Sequence, residues 1–454
     1  MTQFKRKQET EINPAEIWED DAFGTLKSHA TFLTNALVAD HGNFVLNVNG
    51  AWGTGKTFFV NRWAEQLRQA GHPVVEFNAW ENDSEIDPLV PFVAECSESL
   101  KEHFTEDQNI IEGFKEKGGR IALQLGGIAT KAVLRKALGN DGVEDVCNLF
   151  SEDTEKDLIK LGGSLVEEQV KKKHEREAFT LELKSLVTKL NEAGKTLPVF
   201  IFIDELDRCR PTFAIELLER VKHLFHVDGI KFIISTDSTQ LVHSIQGVYG
   251  ANFDSHSYLR RFSDETFTLP NPDSIQFARS CLSSLEQGNW TNNFADGYLF
   301  PDEVFGGLSS AFSLTLRDQA QIFHRMNAIL ANIPNGQQVL LMPLCFLTIL
   351  RMKDPVRYSQ LIRTKDKYIN WQEVEAKLVF ENEQLRIQLD AYFKYTAMDF
   401  DSALKKFKGP ITIQNSRDRT EKERNEIRAH GIVLDNFNSF KPYPTLIELT
   451  HTLS

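Results

Sequence analysis

Five short strand-like runs, most of them apolar, are separated by helix-like stretches and dominate the first 270 residues. They span residues 44–49, 73–80, 199–204, 231–237 and 265–269. A continuous apolar run that is bounded by turn residues is typical of a strand buried on both faces, as in a parallel sheet. Strands that alternate with helices therefore predict an α/β fold, with a parallel, doubly wound sheet and right-handed crossovers.

After Pro270 the strand pattern gives way to helical periodicity, for example over residues 312–333 and 371–400. We expect a first domain at 1–275, with a helical insertion at about 100–190, and a mainly helical lid and C-terminal domain at 276–454. Within the insertion, residues 121–138 could form an amphipathic helix. A packed or partner-facing helix is favoured there over one on a membrane surface.

Composition excludes several classes of protein. The chain has 454 residues, 41% hydrophobic and 25% charged, as in ordinary globular proteins. A net charge of −13 argues against a chain that coats nucleic acid, although it is compatible with a basic patch on one face. The five cysteines are isolated, without metal-ligand spacing, and no long apolar segment or signal peptide is present. These features predict a cytoplasmic protein without a transmembrane segment.

The candidate chemistry begins directly after the first apolar run, with a complete G-x-x-x-x-G-K-T phosphate-binding loop. Its residues are Gly50, Ala51, Trp52, Gly53, Thr54, Gly55, Lys56 and Thr57. Glycines let the backbone N–H groups surround phosphate oxygens, and the N-terminus of the following helix adds further donors. We expect Lys56 to contact the β- and γ-phosphates and Thr57 to hold Mg²⁺.

Two acids follow the third apolar run, at the edge of the sheet where open α/β folds bind ligands. Asp204 would hold Mg²⁺, and Glu205 would polarise the attacking water. The alternative for such an acid is to cap the helix predicted over residues 212–225. Asp207 fits that structural role better than Asp204 or Glu205, because it lies closer to Pro211.

Four further positions could complete the site, each with a structural alternative. Thr236, with Asp237 beside it, could sense the γ-phosphate or position water, or could cap the end of its strand. Arg260 and Arg261 could reach the phosphate of a neighbouring subunit, or form surface ion pairs. Arg317, where a helix begins, could act as a lid arginine that contacts the nucleotide, or could be a solvated helix-start residue.

Several of these segments resemble the KAP family of P-loop NTPases. The resemblance covers most of residues 20–270. It includes the phosphate loop with its internal tryptophan, Phe77-Asn78-Ala79-Trp80, Asp204-Glu205-Leu206-Asp207-Arg208-Cys209 and Tyr258-Leu259-Arg260-Arg261-Phe262.

The resemblance implies an ASCE-type sheet, in which the strand ending at Thr236 lies between the loop strand and the acidic strand. It also implies ATP as the nucleotide and a catalytic glutamate, here Glu205. Many family members have two aspartates where this chain has Asp204-Glu205, and the departure favours hydrolysis. Members with membrane-spanning helices carry them in the insertion, which is charged here, so this chain looks like a cytoplasmic variant.

The expected function is an ATP-binding and ATP-hydrolysing switch that controls assembly or a partner effector. Prokaryotic relatives are often linked to phage exclusion, which makes antiviral defence the expected setting. The resemblance implies a homo-oligomer, because a neighbouring subunit often completes the site in this family. We also expect a separate effector protein, because the chain has no nuclease, protease or deaminase motif. The alternatives are a nucleic-acid-stimulated ATPase, which the acidic balance does not support, and a protein that binds nucleotide only as a structural element.

Overall fold

The computed structural model divides into two compact units, Met1–Pro270 and Asn271–Ser454. It describes residues 12–13, 16–40, 42–85, 87–104, 111–116, 180–222, 227–270, 273–283, 294, 300–333, 337–363, 367–396, 420–435 and 443–451. Most of the predicted insertion, including the candidate amphipathic helix at 121–138, lies outside these ranges. Cys147 lies outside them too, and no disulfide bond joins the other four cysteines.

The first unit contains a five-stranded sheet in which every neighbouring pair is parallel. Its strands are β1 (Phe44–Asn49), β2 (Val74–Asn78), β3 (Val199–Asp204), β4 (Ile230–Thr236) and β5 (Glu265–Thr268). The spatial order is β2-β3-β4-β1-β5. All five strands lie close to their predicted limits. The order also confirms that β4 lies between the loop strand β1 and the acidic strand β3.

Six helices with complete bounds surround this sheet. They are α1 (Leu26–Ala39), α2 (Lys56–Gln69), α3 (Leu89–Lys101), α4 (Pro211–Val221), α5 (Ser238–Tyr249) and α6 (Ser255–Leu259), with 3₁₀ turns at Glu102–Phe104 and Leu206–Arg208. Residues 111–116 and 180–192 are also helical. Helix α2 ends as its sequence predicts, because Gly71 adopts a left-handed conformation with φ of 86°. The N–H of His72 then returns to the carbonyl of Leu67 at 3.1 Å, which closes a Schellman motif.

Apolar side chains fill both faces of the sheet, because successive strand residues point to opposite sides. Leu46 and Val48 of β1 belong to the cluster that packs on α1 and α2. In that cluster Trp63 meets Phe202 edge to face, with 5.4 Å between the ring centroids. Val45 belongs to the opposite cluster, with side chains of α3, α4 and α5. Residues 47 and 49 share its face, and both are asparagines.

The described part of the second unit is helical apart from one bridge, between Phe294 and Val339. Its helices are α7 (Ser274–Ser283), α8 (Pro301–Ala311), α9 (Leu316–Ala331), α10 (Leu341–Lys353), α11 (Pro355–Arg363), α12 (Lys367–Glu375), α13 (Glu383–Thr396), α14 (Glu421–Asp435) and α15 (Tyr443–His451). Every residue of α10 from Leu341 to Leu350 is buried, so this helix forms the centre of the unit.

Two details of these helices refine the sequence prediction. Helix α9 begins at a capping box, in which Thr315 accepts from the N–H of Asp318 and the Asp318 carboxylate accepts from the N–H of Thr315, each at 3.1 Å. The periodic stretch 371–400 does not form one helix, because it is divided between α12 and α13.

None of the described helices combines the length and the apolar character needed to cross a bilayer.

Candidate functional site

The phosphate loop connects β1 to α2, and its glycines have a geometry that side chains would disturb. Gly53 and Gly55 have φ values of 79° and 94°, in the left-handed region that L side chains rarely adopt. At Gly50, a Cβ atom would lie 2.9 Å from the hydroxyl oxygen of Thr54. Among the described residues no side chain caps α2, so the N–H groups of its first turn remain available to an anion.

Lys56 lies at the start of α2 and extends along the inside of the loop. Its side chain is largely buried, with 9% of the residue exposed. The ammonium donates to the carbonyl oxygen of Gly50 at 2.6 Å and to that of Ala51 at 3.3 Å. Lys56 is the one charged residue of loop 50–57, and its ammonium is held against the loop backbone. A cation in this position suits the binding of phosphate.

The two acids predicted from the sequence lie beside the start of α2. Asp204 ends β3, and its carboxylate accepts from the backbone N–H of Glu205 at 2.8 Å. The carboxylate of Glu205 accepts from the hydroxyl of Thr57 at 3.2 Å. The structure thus brings together one hydroxyl and two carboxylates, which are the oxygen ligands that Mg²⁺ prefers. Mg²⁺ usually takes only one or two carboxylates with phosphate and water, so this set fits the ion.

Glu205 has both an unusual backbone and an unusual electrostatic environment. Its φ of 62° is left-handed, which is rare for a residue with a side chain. Burial raises its pKa above the ordinary value, and the neighbouring Asp204 carboxylate raises it further. Arg208 opposes this shift through an ion pair with the Glu205 carboxylate. The guanidinium carbon of Arg208 lies 5.6 Å from the centre of the exposed Trp80 ring.

The expected helix-capping role of Asp207 is wrong. Helix α4 begins at Pro211 with Arg210 in the cap position, and no side chain caps it among the described residues. Asp207 instead lies in the turn Leu206–Arg208, with 7% of the residue exposed, where its carboxylate accepts from the indole N–H of Trp52. The 3₁₀ turn directs this carboxylate back towards the phosphate loop rather than forward to α4.

Asp237 also contacts the loop. One of its carboxylate oxygens accepts from the backbone N–H of Trp52 at 3.1 Å. The other accepts from the N–H groups of Thr239 and Gln240, at 3.1 and 3.3 Å, and so caps α5. For Asp237 the structure therefore favours the capping alternative. The same residue fixes one side of the loop.

Thr236 lies one residue earlier, at the end of β4. Its backbone carbonyl accepts from the N–H of Gly50 at 3.1 Å, so β4 meets the loop directly. Its hydroxyl donates to the side-chain oxygen of Asn47 at 2.9 Å, and only 2% of the residue is exposed. A direct contact between the Thr236 hydroxyl and nucleotide stays a prediction.

Two of the three candidate arginines belong to the first unit and the third belongs to the second. Arg260 and Arg261 follow α6 and are exposed, and within the described residues neither forms an ion pair within 4.0 Å. Arg260 lines a cavity of about 230 Å³ together with Asn49 and Thr236. Arg317 is exposed near the start of α9 in the second unit. The roles of these three residues stay predictions.

Sequence reasoning missed the asparagines of β1. Asn47 donates to the hydroxyl of Ser238 at 3.1 Å, and the side-chain oxygen of Asn49 accepts from the N–H of Ser238 at 3.0 Å. Together with the bond from Thr236, they join β1 to β4 and to the start of α5. Two amides on one face of an otherwise apolar strand were the available signal, because a polar side chain in a core needs a partner.

Comparison with known proteins places this geometry in context. The model of the KAP family P-loop domain matches residues 27–370. The phage T7 exclusion protein of Escherichia coli (strain K12) is 20% identical over 343 residues, which make up 69% of this chain and 42% of that protein. The chain thus spans less than half the length of that relative. The Aeropyrum pernix ORC2 protein, solved in ADPNP-ADP complexes, is 11% identical with a TM-score of 0.36, over 95% of this chain and 93% of that one.

Proposed function

The chain belongs to the KAP family of P-loop NTPases, and on that premise we propose that it binds ATP with Mg²⁺ at loop 50–57 and hydrolyses it. One observation carries the proposal most directly. The hydroxyl of Thr57, at the start of the loop helix, lies 3.2 Å from the carboxylate of Glu205, at the end of the acidic strand. Two segments far apart in the sequence therefore converge on one place.

Each residue of the site then has a distinct role. The backbone of the loop and the Lys56 ammonium bind the phosphates, because both present positive charge to them. Thr57 and Asp204 are the residues that would hold Mg²⁺. When bound, the ion neutralises the negative charge of the phosphates. Glu205 accepts the proton of the attacking water, and the burial that raises its pKa makes it a better acceptor.

We further propose that hydrolysis acts as a switch for a separate effector protein in defence against phage. The name of the Escherichia coli relative supports the setting. Within the described residues no three His, Cys, Asp or Glu side chains are grouped as a metal site, and the described part of the second unit is mainly helical. In this proposal the helical unit responds to the nucleotide through Arg317, and the protein works in the cytoplasm.

We also propose that the protein assembles into a homo-oligomer in which Arg260 or Arg261 completes a neighbour's site. The exposure of both residues and their lack of ion pairs in the described ranges support this arrangement. Mixing Lys56→Ala with Arg260→Ala/Arg261→Ala would restore some activity, because one mixed interface retains every required group. A protein that stays monomeric and fully active with nucleotide would contradict shared sites.

The central experiment measures binding and turnover separately. Lys56→Ala should lose nucleotide binding in calorimetry, while the exposed Lys27→Ala in α1 should bind as wild type does. Glu205→Gln should bind Mg-ATP and release no phosphate, because an amide cannot accept the proton of water. Unchanged affinity in Lys56→Ala would contradict the phosphate site, and unchanged turnover in Glu205→Gln would contradict the assigned base.

A second experiment addresses the output. Phosphate release should be unaffected by added DNA or RNA, and the purified chain should leave both intact. Pull-downs from the native host with Glu205→Gln and Lys56→Ala should recover different amounts of a partner, because a switch requires a partner that prefers one nucleotide state. Equal recovery with both variants would contradict the switch. Strong stimulation by nucleic acid would instead support a nucleic-acid-dependent ATPase.

A further inference from the structure

The tryptophan inside the phosphate loop is held by two aspartates that follow different strands. Its indole N–H donates to the carboxylate of Asp207, two residues after Glu205. Its backbone N–H donates to the carboxylate of Asp237 at 3.1 Å, beyond the end of β4. Both aspartates are largely buried, at 7% and 6% exposure. The tip of the loop is therefore fastened to the ends of β3 and β4.

The exposure of Trp52 shows that its ring is not there to fill the core. The residue is 45% exposed, whereas Trp63 is fully buried in the neighbouring cluster. What the indole contributes is one N–H donor on a long, rigid side chain, and its acceptor is a buried carboxylate. A hydrogen bond to an ionised acceptor is about twice as strong as a neutral one. Trp52 therefore contributes a hydrogen bond to Asp207 rather than apolar packing.

We propose that Trp52 and Asp207 form a positioning pair, which fixes the phosphate loop relative to Glu205. The proposal rests on the function proposed above for the same site. Asp207 lies in the 3₁₀ turn whose N-terminal cap position is Glu205, so a displacement of Asp207 also moves the base. The pair thus fixes both the curvature of the loop around the phosphates and the position of Glu205 beside Thr57.

This arrangement matters chemically because catalysis depends on small distances. Loop N–H groups bind phosphate well only if they are already oriented towards it, and a misplaced base cannot accept the proton of water. Neither Trp52 nor Asp207 needs to touch the reacting atoms to have this effect. Loss of the pair should therefore reduce turnover more than it reduces nucleotide affinity.

The test uses Trp52→Phe, which keeps an aromatic ring and removes the N–H. We expect kcat to fall roughly tenfold to a hundredfold, the range that corresponds to one hydrogen bond to a charged group, with a smaller rise in KM. Trp18→Phe is the matched control, because the indole of Trp18 donates to the neutral side chain of Gln66 at 2.8 Å. That control should keep wild-type kinetics. Circular dichroism should show that both variants are folded.

Variants of Asp207 separate positioning from mere folding. Asp207→Asn keeps an oxygen acceptor and should retain much more kcat than Asp207→Ala. In the Trp52→Phe background, Asp207→Asn should have little additional effect, because the bond that it weakens is already absent. Independent losses that multiply in the double variant would overturn the pair, as would wild-type kcat in Trp52→Phe.

Nucleotide affinity distinguishes failure of the pair from failure of the proposed function. If wild type binds Mg-ATP and does not hydrolyse it, the proposed function is wrong and affinity becomes the readout. In that case Trp52→Phe and Asp207→Ala should weaken binding to the same extent, each by severalfold. Unchanged affinity in either variant would then overturn the pair as well.

Discussion

The carboxylate of Glu205 forms an ion pair with Arg208, three residues later in the same turn. The Glu205 side chain is only 12% exposed, so this guanidinium lies against a largely buried acid. Arg208 itself is 30% exposed and approaches the open face of Trp80. Burial and the Asp204 charge thus raise the pKa of Glu205, the proposed base of the reaction, and Arg208 lowers it.

The first prediction concerns the acid limb of the pH–rate profile. Below its pKa, Glu205 is protonated and cannot accept a proton, so kcat should fall as pH falls through that value. Because the pKa is raised above its ordinary 4.5, the fall should begin at higher pH than for an exposed glutamate. Arg208→Gln removes an influence that lowers the pKa, so the limb should move further towards neutral pH.

A matched control for this shift is Arg210→Gln. Arg210 pairs with Asp83 at 2.9 Å, and it is not among the groups that shift the pKa of Glu205. Its acid limb should coincide with that of wild type. A limb that moves to lower pH in Arg208→Gln, or moves equally in both variants, would show that Arg208 does not tune the base.

The second prediction uses the left-handed backbone of Glu205. Glu205→Ala and Glu205→Gly both lose the carboxylate and its contacts with Thr57 and Arg208, and both should be inactive. They differ in that glycine adopts a φ of 62° without strain. Glu205→Gly should therefore be more stable by about 1 kcal/mol in urea unfolding. Equal stability, or a more stable alanine variant, would mean that the backbone is not strained there.

The third prediction concerns a buried ion pair between Asp87, just before α3, and Arg220 of α4. Asp87 is fully buried, and its carboxylate lies 3.0 Å from the guanidinium of Arg220. Arg220→Leu leaves this carboxylate unpaired and should cost about 3–5 kcal/mol of unfolding free energy. Asp87→Asn/Arg220→Leu should recover most of that loss, because Asn retains the oxygen that accepts from the N–H of Leu89.

The pH dependence of Arg220→Leu has a definite sign. Burial raises the pKa of Asp87, while Arg220 lowers it. A carboxyl group with a raised folded pKa stabilises the fold when protonated, and the stability is lost as pH rises through that pKa. Without Arg220 the pKa rises further. The loss of stability in Arg220→Leu should therefore be small in acid and grow towards neutral pH in thermal melts. This pH dependence should disappear in the double variant, which has no carboxyl group at position 87.

The fourth prediction tests how the entry to β1 is fixed. Lys231 is 1% exposed, and its ammonium donates at 2.8 Å to the carbonyls of Asp40 and Gly42 and to the Asp40 carboxylate. Lys231→Met should destabilise the protein by about 2–3 kcal/mol, because the carbonyls lose their donor while the partly exposed carboxylate turns to water. Lys27→Met, at an exposed position of α1, should leave unfolding by urea unchanged.

Local patterns predicted the sheet because most of its strands, unlike the polar β5, are rich in apolar residues and are bounded by turn residues. The end of α2 could also be predicted from the local sequence, because it depends on a single glycine, Gly71, with a positive φ. The proximity of Thr57 and Glu205 could be predicted because strand ends in a parallel sheet meet at one edge, while their roles stay predictions. The break between α12 and α13 was missed, because periodicity alone does not show where a helix stops.

Contacts between distant segments could not be derived in this way. Asp207 was expected to cap the nearest helix, but its partner Trp52 lies 155 positions earlier. The bonds of Asn47 likewise join it to Thr236, 189 positions later. Such partners are chosen by the three-dimensional arrangement of strand ends, and nothing near Asp207 in the sequence points to a loop tryptophan.

The position of β4 in the centre of the sheet also has a consequence for synthesis on the ribosome. β1 lies between β4 and β5, so neither of its hydrogen-bonding partners exists until more than 180 further residues have been added. At about 5–20 residues per second, that delay is roughly 10–40 s. During this time β1 and the glycine-rich segment after it have no strand to pair with. The nascent chain is then exposed to aggregation, and slowing translation before residue 230 should lower the yield of folded protein.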